Sequence, residues 1–191
     1  MRVGHPSVQK ATRKYSWDDY LAWPDDERWE IINGVAYNIT PAPSIRHQTV
    51  AGNFFSLLKQ KLSGKTCKPF IAPVDVAFSE HDIVQPDVFV LCDKSKITET
   101  HIKGAPNLIV EVLLPSTSLK DLREKKNLYE KSGVKEYIIV DPLEKNVERF
   151  LLSEEGGYSR GEVFGTQEAL PLKSLEGIEI YIREVFEGVM A

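Results

Sequence analysis

Leu108 to Asp141 read LIVEVLLPSTSLKDLREKKNLYEKSGVKEYIIVD: an apolar β-type run, a helical segment and a second apolar run. Leu108 to Leu114 and Glu136 to Asp141 are nearly continuous in Val, Ile and Leu, as expected of strands covered on both faces. Strand, helix and strand at this spacing form a crossover unit, which joins parallel neighbours in one sheet. The first run contains one acid, Glu111. A second run, Pro86-Asp87-Val88-Phe89-Val90 continuing to Leu91, also carries a single acid, Asp87. A carboxylate inside such a run needs a cation, a hydrogen-bond donor or a turn to water. If the two runs are neighbouring strands, both carboxylates converge on one divalent cation, and hard oxygen ligands of this kind suit magnesium or manganese.

The crossover helix is expected over Ser118 to Lys131, stopping at Gly133. Projected at about 100° per residue, Leu119, Leu122, Leu128 and Tyr129 share one arc, and Lys125 and Lys126 fall inside it. A lysine on such a face snorkels to the edge or finds an acid. Two readings follow for Lys125: an i, i+4 pair with Asp121 at the margin of the core, or an ammonium beside Glu111.

Upstream, Ser16 is placed to cap a short helix carrying Trp17, Tyr20, Leu21 and Trp23. Trp29 to Ile32 and Val35 to Ile39 flank Asn33-Gly34, a strong hairpin signal because both central positions of a tight type I′ turn take positive φ. After a break at Pro41-Ala42-Pro43, a long helix is expected from Ser44 to Gly64, with His47 in its first turn. Cys67 to Phe78, Val147 to Leu152, Tyr158 to Phe164 and Ile178 to Ile182 supply further strands, with a last turn of helix near Val185. The expected architecture is α/β: a mixed central β-sheet flanked by helices, with an N-terminal hairpin and additional C-terminal strands.

At 191 residues, 42% hydrophobic and 27% charged, the chain suits one domain over 1–191. No run is long enough to span a bilayer and no secretory pattern opens the sequence, so the expected location is cytoplasmic. Cys67 and Cys92 lack the paired spacing of a zinc site and are read as buried small hydrophobes rather than a disulfide. Net charge is −4, which argues against strong attraction to nucleic acid over the whole surface. Two basic groups stand out locally: Lys59, Lys61, Lys65 and Lys68, then Lys120 through Lys135.

Glu30-Ile31-Ile32-Asn33-Gly34, Pro43-Ser44 with His47-Gln48, Pro86-Asp87, Glu111 through Thr117, the trio Asp121, Lys125 and Tyr129, and Gly133 through Pro142 together resemble the Uma2 family of restriction endonucleases. This is a branch of the PD-(D/E)XK nuclease superfamily, and the resemblance is strongest over 29–142. It implies a restriction-endonuclease-like fold and a metal-dependent endonuclease that hydrolyses DNA phosphodiester bonds. Asp87, Glu111 and the backbone carbonyl of Val112 would hold Mg2+ or Mn2+. The superfamily lysine two residues beyond the second acid falls on Leu113, which cannot serve, and Lys125 on the following helix is the candidate replacement. Glu30 resembles an additional acid that completes a two-metal site. His47 reads as a helix-start residue bonding a neighbour, and Asp75, Asp93 and Asp141 as strand-end or turn acids. DNA is the expected partner, and a homodimer is expected by analogy with nucleases that cut both strands. The alternative is a non-catalytic nuclease-fold module that binds nucleic acid or a protein.

Overall fold

The computed structural model describes residues 9–10, 13–24, 27–39, 44–114 and 121–189. The break at Pro41-Ala42-Pro43, the Pro115-Ser116-Thr117 stretch and the expected helix start at Ser118 lie outside the described residues.

Local chemistry sets the first elements. Ser16 caps helix α1 (Trp17–Leu21) through a capping box with Asp19. Backbone bonding to Ser16 is the chief reason the Asp19 carboxyl is held below its ordinary value. Asn33 and Gly34 take φ of 52° and 78°, turning strand β2 (Trp29–Ile32) into β3 (Val35–Asn38). Ser44 accepts from the His47 N–H at the start of helix α2 (Ile45–Lys61).

The N-terminal hairpin, expected in addition to the central sheet, belongs to a second sheet. With β1 (Gln9–Lys10), β5 (Val76–Ser79), β6 (Asp82–Val84) and β8 (Ile102–Lys103), it forms six strands in the order β1-β3-β2-β6-β5-β8. Strands β6 and β8 are two or three residues long, too short to show a period in sequence.

The central sheet takes β4 (Lys68–Ile71), β7 (Val88–Leu91), β9 (Leu108–Val112), β10 (Glu136–Asp141), β11 (Asn146–Leu151) and β12 (Glu162–Gly165), ordered β12-β11-β10-β9-β7-β4. β9 and β10 are parallel and the remaining neighbours antiparallel, so the crossover and the mixed sheet are both present. A separate pair, β13 (Ala169–Leu172) and β14 (Ile178–Tyr181), precedes a turn of helix, α4 (Ile182–Val185), with helix α3 (Lys126–Ser132) lying inside the crossover. A π-helical turn, Asp121–Lys125, leads into α3, and Gly133 closes it at φ 85°.

The period of two divides the central sheet. Val88, Val90, Leu108, Val110, Val112 and Ile138 pack against Val50, Phe54 and Leu58 of α2 and against the β13-β14 pair. Phe89, Leu91, Ile109, Tyr137 and Ile139 face Leu128 and Tyr129 of α3 and Ile32, Val76 and Val84 of the second sheet. Glu111 shares the parity of Ile109, so the pleat directs it toward α3. Full burial of a side chain such as Phe54 or Leu58 contributes roughly 2 kcal/mol, and both are completely buried.

The reading of the cysteines is corrected: Cys67 and Cys92 form a disulfide. β4 and β7 are antiparallel with Lys68 opposite Leu91, so the next step outward sets the two cysteines against each other. Strand pairing creates that proximity, and spacing in the chain does not reveal it. The bond closes a separation of 25 residues that includes Asp87. Loop-closure entropy over that length predicts a loss of about 3 kcal/mol on replacement of both cysteines by alanine. Urea unfolding of the double variant, and of the parent with and without dithiothreitol, measures it. Equal stabilities would show that the bond is not formed.

Candidate functional site

Strand register makes Asp87 and Glu111 neighbours. Val88 pairs with Val110, and one further step along the antiparallel ladder sets Asp87 against Glu111. Asp87 Oδ2 accepts from the Val112 N–H at 2.8 Å and from His47 Nε2 at 3.0 Å. An ionised carboxylate only accepts, so Nε2 is the protonated ring nitrogen in that contact. His47 is buried, and its Nδ1 has no partner among the described residues. α2 therefore delivers to Asp87 a side chain that sequence reading treated as a helix-start residue bonding a neighbour; the neighbour is the candidate metal ligand itself.

On the other face of the sheet, Glu111 Oε1 accepts from Lys125 Nζ at 2.8 Å and from the Tyr129 hydroxyl at 2.6 Å. Lys125 Nζ also lies 2.9 Å from Glu30 Oε1, which accepts the Gln85 N–H at 3.1 Å. Glu30, Glu111 and Lys125 are 1%, 2% and 4% exposed. At this depth an unpaired charge would cost several kcal/mol, and the contacts answer that cost with opposite charge and fixed donors. Burial, then the charges of Glu111 and Glu30, push the Tyr129 phenol well above its ordinary pKa of 10.0, so it stays a neutral donor.

The side chains named from sequence thus assemble. Asp87 and Glu111 lie at adjacent strand ends, Lys125 bridges Glu111 and Glu30, and Val112 supplies its N–H to Asp87. In an extended strand a residue's N–H and C=O point to the same edge, so the Val112 carbonyl also faces the β7 side. Of the two readings of Lys125, its contact with Glu111 is present; the Asp121 side chain lies outside the described residues. Lys126, on the same arc of the ideal projection, goes elsewhere: its ammonium sits 3.8 Å from the Phe150 ring centroid. Adjacent helical residues point about 100° apart, so the two lysines leave the segment in different directions and reach different partners.

Sequence reading assigned no role to Tyr129 or Gln85. Tyr129 lies one helical turn beyond Lys125, which was the available signal. Gln85 had none. Its side chain is locked by Arg28 donating to Oε1 at 2.8 and 3.2 Å, while its Nε2 donates to Asp75 and to the Tyr20 hydroxyl. Tyr20 in turn donates to Asp75 at 2.7 Å, so Asp75 anchors the support behind Glu30.

Among the described residues, no three His, Cys, Asp or Glu side chains are gathered as a cage for a metal ion. Magnesium binds through one or two carboxylates and keeps several of its waters, so two carboxylates and a carbonyl are a sufficient donor set. Thiolate and imidazole sets that select zinc or copper are not what these residues offer.

A family model described as "Putative restriction endonuclease" matches residues 17–183. An uncharacterized protein of Synechocystis sp. is 24% identical over 180 residues, covering 92% of this chain and 93% of its own. A crystal structure described as a putative nuclease belonging to DUF820, from Anabaena variabilis, superposes with a TM-score of 0.75 at 20% identity, covering 92% of this chain and 99% of that one. The last likeness shows that the fold is shared, in keeping with the restriction-endonuclease-like architecture expected. With a match across most of its length and these strand-borne acids in place, the chain belongs to the Uma2 family of restriction-endonuclease-like proteins.

Proposed function

We propose that this protein is a metal-dependent endonuclease that hydrolyses DNA phosphodiester bonds, with Asp87, Glu111 and the Val112 carbonyl holding Mg2+ or Mn2+. The observation that carries this reading is the buried Lys125 ammonium, drawn from the crossover onto Glu111 beside Asp87. Such an ion supplies Lewis-acid polarisation of the scissile phosphate and a bound water of lowered pKa.

The chain's own groups do the rest. The Val112 N–H and His47 fix one oxygen of Asp87, which sets the direction of the carboxylate. Tyr129 and Lys125 do the same for Glu111. Lys125 offsets negative charge that develops on the phosphoryl oxygens, in a place shielded from water where such charge compensation is strongest. Arg123 and Lys131, on the segment that carries Lys125, contribute cationic charge for a phosphate backbone despite the net charge of −4. Cutting both strands requires two such sites, and Val163 and Tyr181, exposed on terminal strands, suit a symmetric contact between two copies. Among the described residues no helix is long and apolar enough to cross a membrane. A module that binds without cutting is the second reading, favoured by the acidic net charge.

Three measurements follow. The wild type should nick and linearise supercoiled plasmid with Mg2+ or Mn2+, and EDTA should stop it. Intact plasmid under all metal conditions, with binding retained, would favour the second reading. The Lys125→Ala variant should lose about 100-fold or more in cleavage rate while affinity for the ion held by Asp87 and Glu111 changes little, whereas Lys126→Ala should cut normally; the reverse pattern would move the role to Lys126. Tyr129→Phe should cost about 1.5–3 kcal/mol of stability by removing a buried bond to a charged acceptor. Because the folded Tyr129 pKa lies above 10.0, the unfolded chain ionises first. Its contribution is therefore complete below pH 10 and is lost as pH rises through the folded value. The parent and Tyr129→Phe should converge in stability above pH 10, and a constant gap across that range would contradict the assignment.

A further inference from the structure

An ammonium lies between Glu30 and Glu111, the two acids that a second ion in a two-metal nuclease would have to bridge. In such sites two cations lie about 3.5–4 Å apart and share carboxylates. Here Lys125 Nζ lies 2.8 Å from Glu111 and 2.9 Å from Glu30, between the two acids that such an ion would have to bridge. Glu30 Oε1 also accepts from the Gln85 N–H, whose own side chain is clamped by Arg28, Tyr20 and Asp75. Glu30 is thus held to meet a cation at a fixed point beside Glu111.

We propose that Glu30 is a positioning residue for Lys125 and not a metal ligand, so that the site takes one divalent ion per chain and Lys125 stands in for the second. The proposal rests on the metal-dependent reading above and narrows it. Formal charge supports it. Among the described residues, Asp87, Glu111 and Glu30 with Lys125 carry a formal charge of −2, which one divalent ion neutralises and which two ions would invert to +2. A positive excess of that size in a buried site is costly before any phosphate arrives. The scarcity of ligands agrees, because no cluster of three acidic, histidine or cysteine side chains is present among the described residues. Lys125, 4% exposed and next to a divalent ion, would be repelled toward solvent without the second counter-charge that Glu30 provides.

The test is a manganese titration of the full chain, read by calorimetry and by electron paramagnetic resonance, together with the rate of Lys125 acetylation measured by mass spectrometry. Expected are one manganese per wild-type chain with the spectrum of an isolated ion, and still one in Glu30→Gln with affinity within about threefold. Lys125 acetylation should be at least tenfold faster in Glu30→Gln, a change that a ligand role would not produce. Lys125→Met should admit a second, spin-coupled ion, and Glu30→Gln combined with Lys125→Met should return to one. If Lys125→Met does not fold, the wild type and Glu30→Gln decide alone. Two ions in the wild type falling to one in Glu30→Gln would make Glu30 a ligand and overturn the proposal. No manganese in the wild type, with or without a DNA duplex, would instead overturn the metal-dependent reading, and the single-ion assignment with it.

Discussion

A carboxylate in the middle of a sheet covered on both faces must be answered by a partner that the fold can deliver, and Glu111 is that carboxylate. It sits on β9, flanked by β7 and β10, with water excluded on either side. Leaving it unpaired would consume a large part of the stability of a domain this size. The crossover must therefore return with a cation at one height above the sheet, and Lys125 and Tyr129 meet Glu111 from that segment. The π-helical turn that ends at Lys125 fits this demand, because it sets the phase of the helix where the lysine leaves it.

The two sides of the sheet divide the work. α2 packs on one face and brings His47 to Asp87; the second sheet and α3 pack on the other and bring Glu30, Lys125 and Tyr129 to Glu111. Asp87 and Glu111 lie where these two sets of contacts meet, at the end of the β7-β9 ladder, and the Val112 N–H reaches across that end. The candidate site is thus a product of strand order. β7 and β9 are neighbours in space although the 3-10 turn at Lys94–Lys96 and β8 separate them in the chain.

Much of this was legible in the residues because it rests on local anomalies. An acid inside a valine and isoleucine run is conspicuous, and so is a lysine in the phase of leucines, so Asp87, Glu111 and Lys125 could be named. Asn33-Gly34 and Ser16 announced their turn and cap through chemistry confined to a few residues. What stayed hidden depends on pairing between distant segments. The cysteines become opposite only when β4 lies beside β7, and the hairpin joins a second sheet where Ile31 of β2 pairs with Ile83 of β6, far along the chain. Glu30 was legible only as an additional acid of a metal site, because the lysine it meets lies far along the chain, and Gln85 contributes mainly a backbone N–H, which no side-chain pattern can signal. The ideal helical projection gave Lys125 and Lys126 equal standing, and only the partners each meets in three dimensions, Glu111 for one and the Phe150 ring for the other, separate them.

Whether Asp87, Glu111 and the Val112 carbonyl share one hard cation is decided by anomalous diffraction from manganese-soaked crystals. A shared ion gives a peak about 2.1 Å from oxygens of all three residues, the distance typical of magnesium-like coordination, with Lys125 still between Glu111 and Glu30. A strong peak elsewhere on the chain, or density at Glu30 with Lys125 displaced, would contradict it.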